Sequence, residues 1–327
     1  MREKTVTSVI RMGIGRHRKT NPFIKEMITN KALYLMLLPG TVLVFLFSYL
    51  PMPGVLLAFK DFKHHGNIFQ SFMQSEWVGL KNFLFLFRGD IAIIATRNTL
   101  LYNMVFIVLG LVFAVILAIL INEVKNKKLV KFYQTSFLLP YFLSWIIVAY
   151  FGYSLLNNES GIINRNILSA LDISPVNWYF QPKYWPYILV TAGIWKYLGY
   201  NTIIYTASIT TFDTELYEAA TIDGANKVQQ ARYITIPLLT PLMVIMSILA
   251  IGRIFNSDFG LFYNVPMNMG SLTTATEVID TYVYRMLSTN DFGMATASGL
   301  YQALVGFTLV ITTNAIVKKI DKDYSLF

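Results

Sequence analysis

Six long apolar stretches of this sequence are free, or nearly free, of charge, and that spacing limits the possible folds more than any other feature. The uncharged runs are 32–59, 98–122, 132–158, 184–195 with 197–212, 233–252 and 292–317, the fourth broken only by Lys196. A helix crossing a hydrocarbon core of ~30 Å needs about 20 apolar residues, so each run holds one span. In lipid the backbone must pair its own polar groups, which leaves helices as the solution for segments of this length. With 55% hydrophobic and only 14% charged residues, the chain does not resemble a soluble globular protein. The expectation is an all-α integral membrane protein with six transmembrane helices. They are placed near 31–50, 97–122, 130–155, 186–210, 237–257 and 294–317. No internal repeat or low-complexity tract is evident.

A net charge of +9 would suit a nucleic-acid partner, but its distribution points elsewhere and no nucleic acid is expected. Before the first span lie Arg2, Lys4, Arg11, Arg16, Arg18, Lys19, Lys25 and Lys31. The loop after the second span holds Lys125, Lys127, Lys128 and Lys131, and the tail holds Lys318, Lys319 and Lys322. Lys and Arg gather in short cytoplasmic loops, so both termini should lie inside. This divides the chain into a basic cytoplasmic arm (1–31), a membrane domain (32–318) and a cytoplasmic tail (319–327). The arm suits anionic lipid. Loop 60–96, with Trp77, Phe83, Phe85 and Phe87 among charges, reads as an amphipathic segment at the outer interface. The apolar run after the arm is too long for a secretory h-region and no small-residue cleavage site closes it, so no secretory signal is expected. The absence of Cys excludes disulfide and thiol chemistry.

One polar stretch between two spans has a distinctive pattern. Residues 218–237 read EAATIDGANKVQQARYITIP, and the charge asymmetry places them in the cytoplasm. Glu218, Ala219 and Ala220 favour helix, and small Ala side chains permit close docking. Glu218 offers a carboxylate to a partner's cation, and Gly224 permits a turn that a Cβ resists. The chain has no G-x-x-x-x-G-K-[ST] phosphate loop. Its histidines, His17, His64 and His65, fall in predicted loops without metal-ligand spacing. No metal, cofactor or catalytic residue is therefore expected in this chain. Transport driven by ATP would need the ATP and Mg site on another polypeptide.

The 218–237 run resembles the EAA motif of binding-protein-dependent ABC importers: EAA, three residues, Gly, nine residues, Ile-x-Leu-Pro. Ile234 and Pro237 keep the spacing, and Ile236 stands where Leu is usual. Further matches run through the chain: NKALYLMLLPG (30–40), FKDF (59–62), WVGLKNF (77–83), RNTL (97–100) and ILINEVKN (119–126). They continue with LLP (138–140), GIWK (193–196), ELYEAATIDGA (215–225) and VIDTYVYR (278–285). These stretches resemble the LplB-like permease group of carbohydrate ABC importers, which take up complex oligosaccharides and polysaccharide fragments. The resemblance implies a type I importer (MetI-like) permease in the bacterial inner membrane. Its implied partners are a second, homologous permease subunit in a heterodimer, two ABC ATPase subunits and an extracytoplasmic solute-binding protein. It further implies that Glu218, Ala219, Ala220, Asp223, Gly224, Ala225, Ile234 and Pro237 form a coupling helix and its flanks, in a loop over 211–236. Nucleotide-driven closure of an ATPase cleft would then rock the membrane helices.

Sugar sites set aromatic faces against C–H surfaces and amides or hydroxyls against sugar hydroxyls. The fourth predicted helix offers Trp195, Tyr197, Gly199, Tyr200, Asn201 and Tyr205, and the fifth ends with Arg253, Asn256, Ser257 and Asp258. The more distant maltose-importer permeases line their sugar site with residues matching Gly199, Tyr200, Asn256 and Ser257. The same aromatics also suit an interfacial belt or helix packing. Lys196 lies about 15 Å into its helix, a depth at which an ionisable group faces protein or a wet cavity. Lys196 and Arg253 would either favour acidic oligosaccharides, such as uronate-containing alginate or pectin fragments, or pair with carboxylates of this chain or its partner. Two other functions stay open at this stage. A permease for a non-sugar solute shares the loop, and a membrane-embedded enzyme acting on lipid-linked sugars would need a carboxylate or metal cluster. The acidic candidates Asp213, Glu215 and Glu218 already belong to the loop.

Overall fold

A computed structural model describes residues 26, 29–63, 66–84 and 90–320. The basic arm through Lys25, His17, His64, His65, Phe85, Phe87 and the tail with Lys322 lie outside the described residues. The chain divides into two compact units, one ending at Val55 and one beginning at Leu56.

In the first unit, helix α1 (Lys31–Val44) runs on through a π turn at Phe45–Tyr49. Pro39 sits inside α1 without ending it, and Leu35, Met36 and Phe47 are among its many exposed apolar side chains. Pro51 and Pro53, expected to kink or end the first span, lie at the change from the π turn to a 3-10 stretch over Met52–Phe59, whose last four residues belong to the second unit.

In the second unit the loop predicted to be amphipathic is a small hairpin. Strands β1 (Lys60–Asp61) and β2 (Glu76–Trp77) pair antiparallel around α2 (Ile68–Gln74). Its buried Lys60 donates to the Phe72 carbonyl (2.6 Å), with its ammonium over the Phe72 and Trp77 rings. Helix α3 (Asp90–Asn122) starts seven residues before its predicted position. Its partner α6 (Trp185–Ile209) packs along it, and these two helices form the axis of the unit. Ala114 and Ala118 of α3 are fully buried against Tyr205, Ile209 and Leu239, small residues that let membrane helices approach closely.

The third predicted span is broken. Helices α4 (Lys127–Leu138) and α5 (Trp145–Leu156) meet at a 96° bend across residues 139–144. Pro140 lacks the N–H that would continue the ladder, and Ser144 starts a new helix by accepting from the Ile147 N–H. The chain after α6 turns through α7 (Thr214–Ile222) and α8 (Lys227–Gln230) into α9 (Ile236–Ile251). Short helices α10 (Phe259–Asn264) and α11 (Ile279–Ser288) precede the last span, α12 (Phe292–Ile320).

Among the described residues four helical segments are long and apolar enough to cross a membrane: Lys31–Phe59, Asp90–Asn122, Lys227–Ile251 and Phe292–Lys319. The bent pair makes a fifth if it is one span. Helix α6, with 25 residues, is about 37 Å long, but Lys196, Asn201, Thr202 and Thr206 lower its apolarity. The predicted count of six is reached only by admitting α6 on length alone.

Candidate functional site

The polar stretch after α6 folds into a stiff corner. Asp213 caps α7 by accepting from the Glu215 N–H (3.0 Å). At the other end Gly224 has φ +83°. Its N–H donates to the Thr221 carbonyl (3.1 Å) and the Ala225 N–H to the Ala220 carbonyl (2.8 Å). That pair of bonds is a Schellman C-cap, which needs a left-handed residue where Gly224 stands. Two residues on, Asn226 and Gln229 form a capping box that starts α8. Buried Gln230 locks the corner by donating to Thr221 Oγ1 (2.8 Å), and the Tyr217 hydroxyl pairs with Thr235 Oγ1 (3.0 Å).

This corner presents a projecting, partly apolar tip. Ile222 is 87% and Val228 76% exposed. Glu218 and Ala219 are exposed on α7, Ala220 and Ala225 half-buried, Asp223 exposed at the C-cap. Glu218 has no ion pair among the described residues. Lys227 bridges to Glu123 at the end of α3 (3.1 Å), an exposed pair contributing at most about 1 kcal/mol. Half-buried Ile234 sits in a π turn (Ala231–Thr235) closed by the Ile236 N–H on the Ala231 carbonyl. Pro237 follows at once, at the start of α9, where its missing N–H costs least.

Elsewhere in the unit, α3, α6 and α9 line an open cavity of about 430 Å³ whose polar lining includes Asn103, Tyr197, Asn201, Ser247, Arg253 and Asn256. A second cavity, about 340 Å³, shares Asn103, Tyr197 and Asn201 and adds Tyr141, Tyr200 and Asp258. The rings of Tyr141 and Tyr200 stack with centroids 4.6 Å apart and planes 9° apart. Asn103 Nδ2 donates to the Ile254 carbonyl (2.8 Å), the Asn256 carbonyl (3.2 Å) and Ser257 Oγ (3.3 Å), holding the turn after α9. From the other side the Ser257 N–H donates to Asp280 Oδ2 (2.7 Å) and Gln302 to the Phe255 carbonyl (2.6 Å). Arg253 is exposed and has no ion pair among the described residues.

Of the predicted path residues, Tyr200, Asn201, Arg253, Asn256 and Asp258 line these cavities. Ser257 stands in the adjacent turn. Trp195 lines a separate apolar groove with Phe151, Leu155 and Tyr187. Gly199 packs against backbone: a Cβ there would collide with the Phe137 carbonyl. Lys196, 5% exposed, meets no carboxylate; its ammonium donates to the carbonyls of Pro140 (3.3 Å), Tyr141 (3.2 Å) and Leu143. Asn103, Tyr141 and Ser247 escaped the sequence reading. The available signal for Asn103 was a polar stripe of Asn98, Thr99, Tyr102 and Asn103 on one side of an otherwise apolar run.

A bundle of apolar helices around a cavity that carries a cluster of polar side chains, with an exposed loop helix beside it, is the architecture of a transport permease. The chain belongs to the family of binding-protein-dependent transport system inner membrane components, whose profile matches residues 107–325. It is thus a multi-pass inner-membrane protein whose family transports in partnership with a binding protein. It is 35% identical over 311 residues to the polygalacturonan/rhamnogalacturonan transport system permease protein YteP of Bacillus subtilis (strain 168), covering 95% of each chain. It is 34% identical over 300 residues to Protein LplB of the same organism, covering 90% of this chain and 91% of that one. A solved bacterial alginate ABC transporter, in complex with an alginate pentasaccharide-bound periplasmic protein, has a chain of 30% identity. It superposes with a TM-score of 0.80 over 91% of this chain and 98% of that chain.

Proposed function

We propose that this chain forms half of the passage of an ABC importer for complex oligosaccharides, with uronate-rich fragments as the preferred class. The passage carries sugar delivered by an extracytoplasmic binding protein. A second permease subunit supplies the other half, and two separate ATPase subunits, docked on this chain's loop, hold the ATP and Mg. Both termini and the 211–236 loop face the cytoplasm. The observation that carries this reading is the cavity wall. The amides of Asn201 and Asn256, Ser247 and two tyrosines offer hydrogen bonds and ring faces to a sugar, while Arg253, which has no ion pair among the described residues, offers the donor fork that matches a carboxylate. The YteP and alginate relatives, both named for acidic polysaccharides, support the substrate class.

In the loop, exposed Ile222 and Val228 are the apolar anchors for an ATPase cleft, and Glu218 is the charge for a cation on its rim. The Schellman and capping-box bonds, with the Gln230–Thr221 and Tyr217–Thr235 bonds, fix the corner so that it moves together with the start of α9. The test is ATPase activity of the reconstituted complex with uronate-loaded binding protein, beside a Glu218→Ala, Ile222→Asp variant. Stimulation in the wild type, lost in an assembled variant, is the expected result. Stimulation by an amino acid or inorganic anion instead, or an unaffected variant, would remove the reading.

A further inference from the structure

The break in the third span creates a problem that Lys196 solves. Where α4 stops, a 3-10 turn (Leu139–Phe142) follows in which the Pro140 carbonyl accepts the Leu143 N–H (3.2 Å), while the carbonyls of Tyr141 and Leu143 fall at the break, outside the helical ladder. In the membrane each unpaired carbonyl costs several kcal/mol. An ammonium has three donors and no acceptor. Lys196, from the middle of α6, places its three donors on the carbonyls of Pro140, Tyr141 and Leu143. The same ammonium lies 5.0 Å from the ring centre of Trp145, the first residue of α5. Trp145 in turn donates its indole N–H to Asp258 Oδ2 (2.7 Å), which also accepts from the Tyr197 hydroxyl (2.6 Å). Gly199 lets α6 approach the Phe137 carbonyl closely enough for the lysine to reach.

We infer that Lys196 is a positioning residue of the sugar passage: it holds the 96° break of the third span and so fixes the Tyr141 face of the cavity. It does not read the charge of the substrate. Tyr141 is the residue whose carbonyl Lys196 caps and whose ring stacks on Tyr200 in the cavity wall. Releasing the ammonium frees the bend and the wall together. This role uses the proposed sugar cavity for its consequence, but the bend itself is measurable without any sugar.

Because the chain lacks Cys, two introduced cysteines give clean spin-label positions. Phe132 of α4 and Phe151 of α5 are exposed on either side of the break. In the complete importer, with cysteine-free partner subunits, Lys196→Met should shift and broaden the distance distribution between labels at 132 and 151. Lys196→Gln, keeping two donors, should do so less, and serves where Met does not assemble. Binding-protein stimulation of the ATPase should fall by at least about tenfold in Lys196→Met, by the same factor at low and high ionic strength. An unchanged distance distribution would overturn the inference. So would a loss that disappears as salt screens the charge, because that marks a residue attracting an anion. If the wild type shows no sugar stimulation, the passage reading fails while the distance measurement still decides the role of Lys196.

Discussion

The indole N–H of Trp145 donates to Asp258 Oδ2 at 2.7 Å, joining the first residue of α5 to the N-cap of α10, 113 positions away in the chain. The other carboxylate oxygen accepts from the N–H groups of Gly260 (2.9 Å) and Leu261 (3.3 Å), and Tyr197 adds its hydroxyl from α6. One carboxylate thus ties three helices at the edge of the cavity. Each side chain has a partner, which suits a low-dielectric interior.

Replacing Asp258 with Ala leaves an indole, a phenol and two backbone donors without their acceptor. Bonds to a charged group contribute about 1.5–3 kcal/mol, so the loss should exceed that of Tyr197→Phe, which removes one bond. Thermal unfolding of the purified complex should order the two variants with Asp258→Ala lower. The reverse order would show that the carboxylate is not the junction.

Gly224 is required for its backbone angle alone, since a Cβ there meets nothing within 4 Å. Ala in the left-handed region costs about 1 kcal/mol, and Asn tolerates it better. ATPase coupling should therefore decline in the order Gly, Asn, Ala, with assembly intact in all three. Equal activity of Asn and Ala would mean that the Schellman turn does not limit coupling.

Arg253→Met should lower stimulation by uronate-loaded binding protein by roughly tenfold, about 1.4 kcal/mol, and Arg253→Lys by less. The loss should shrink at high ionic strength, the opposite of the behaviour expected for Lys196. Uptake assays with uronate oligomers in the two backgrounds separate the cations.

Burial raises the Asp280 carboxyl above its ordinary range, opposed by its bond to the Ser257 N–H. A raised native pKa means that the stability it contributes is fully present below the unfolded value. It is lost as pH rises through the native value. At neutral pH the buried charge is therefore a burden, while an Asn oxygen can still accept from Ser257. Asp280→Asn should match or exceed wild type in melting temperature at pH 7, and the advantage should vanish below about pH 4. A lower melting temperature at pH 7 would show that the charge itself holds the turn after α9.

The membrane class, the existence of most of the long helices and the helix–turn–helix corner at 213–230 could be read from residue order because each is a local property. Uncharged runs of about 20 residues need lipid, Glu-Ala-Ala favours helix, and Gly224 answers a dihedral demand that its own neighbours create. Tertiary contacts decided the rest. Pro140 looked like one more residue in an apolar run until the chain bent by 96° there. Gly199 and Lys196 looked like cavity residues, yet one is small so that α6 can touch the Phe137 carbonyl and the other faces backbone carbonyls 53 to 56 positions away. Asn103 gained its role only when α3 came beside the turn at 254–257. Which carbonyls lack a partner, and which donor reaches them, depends on how helices distant in sequence meet. No periodicity along a single helix carries that information.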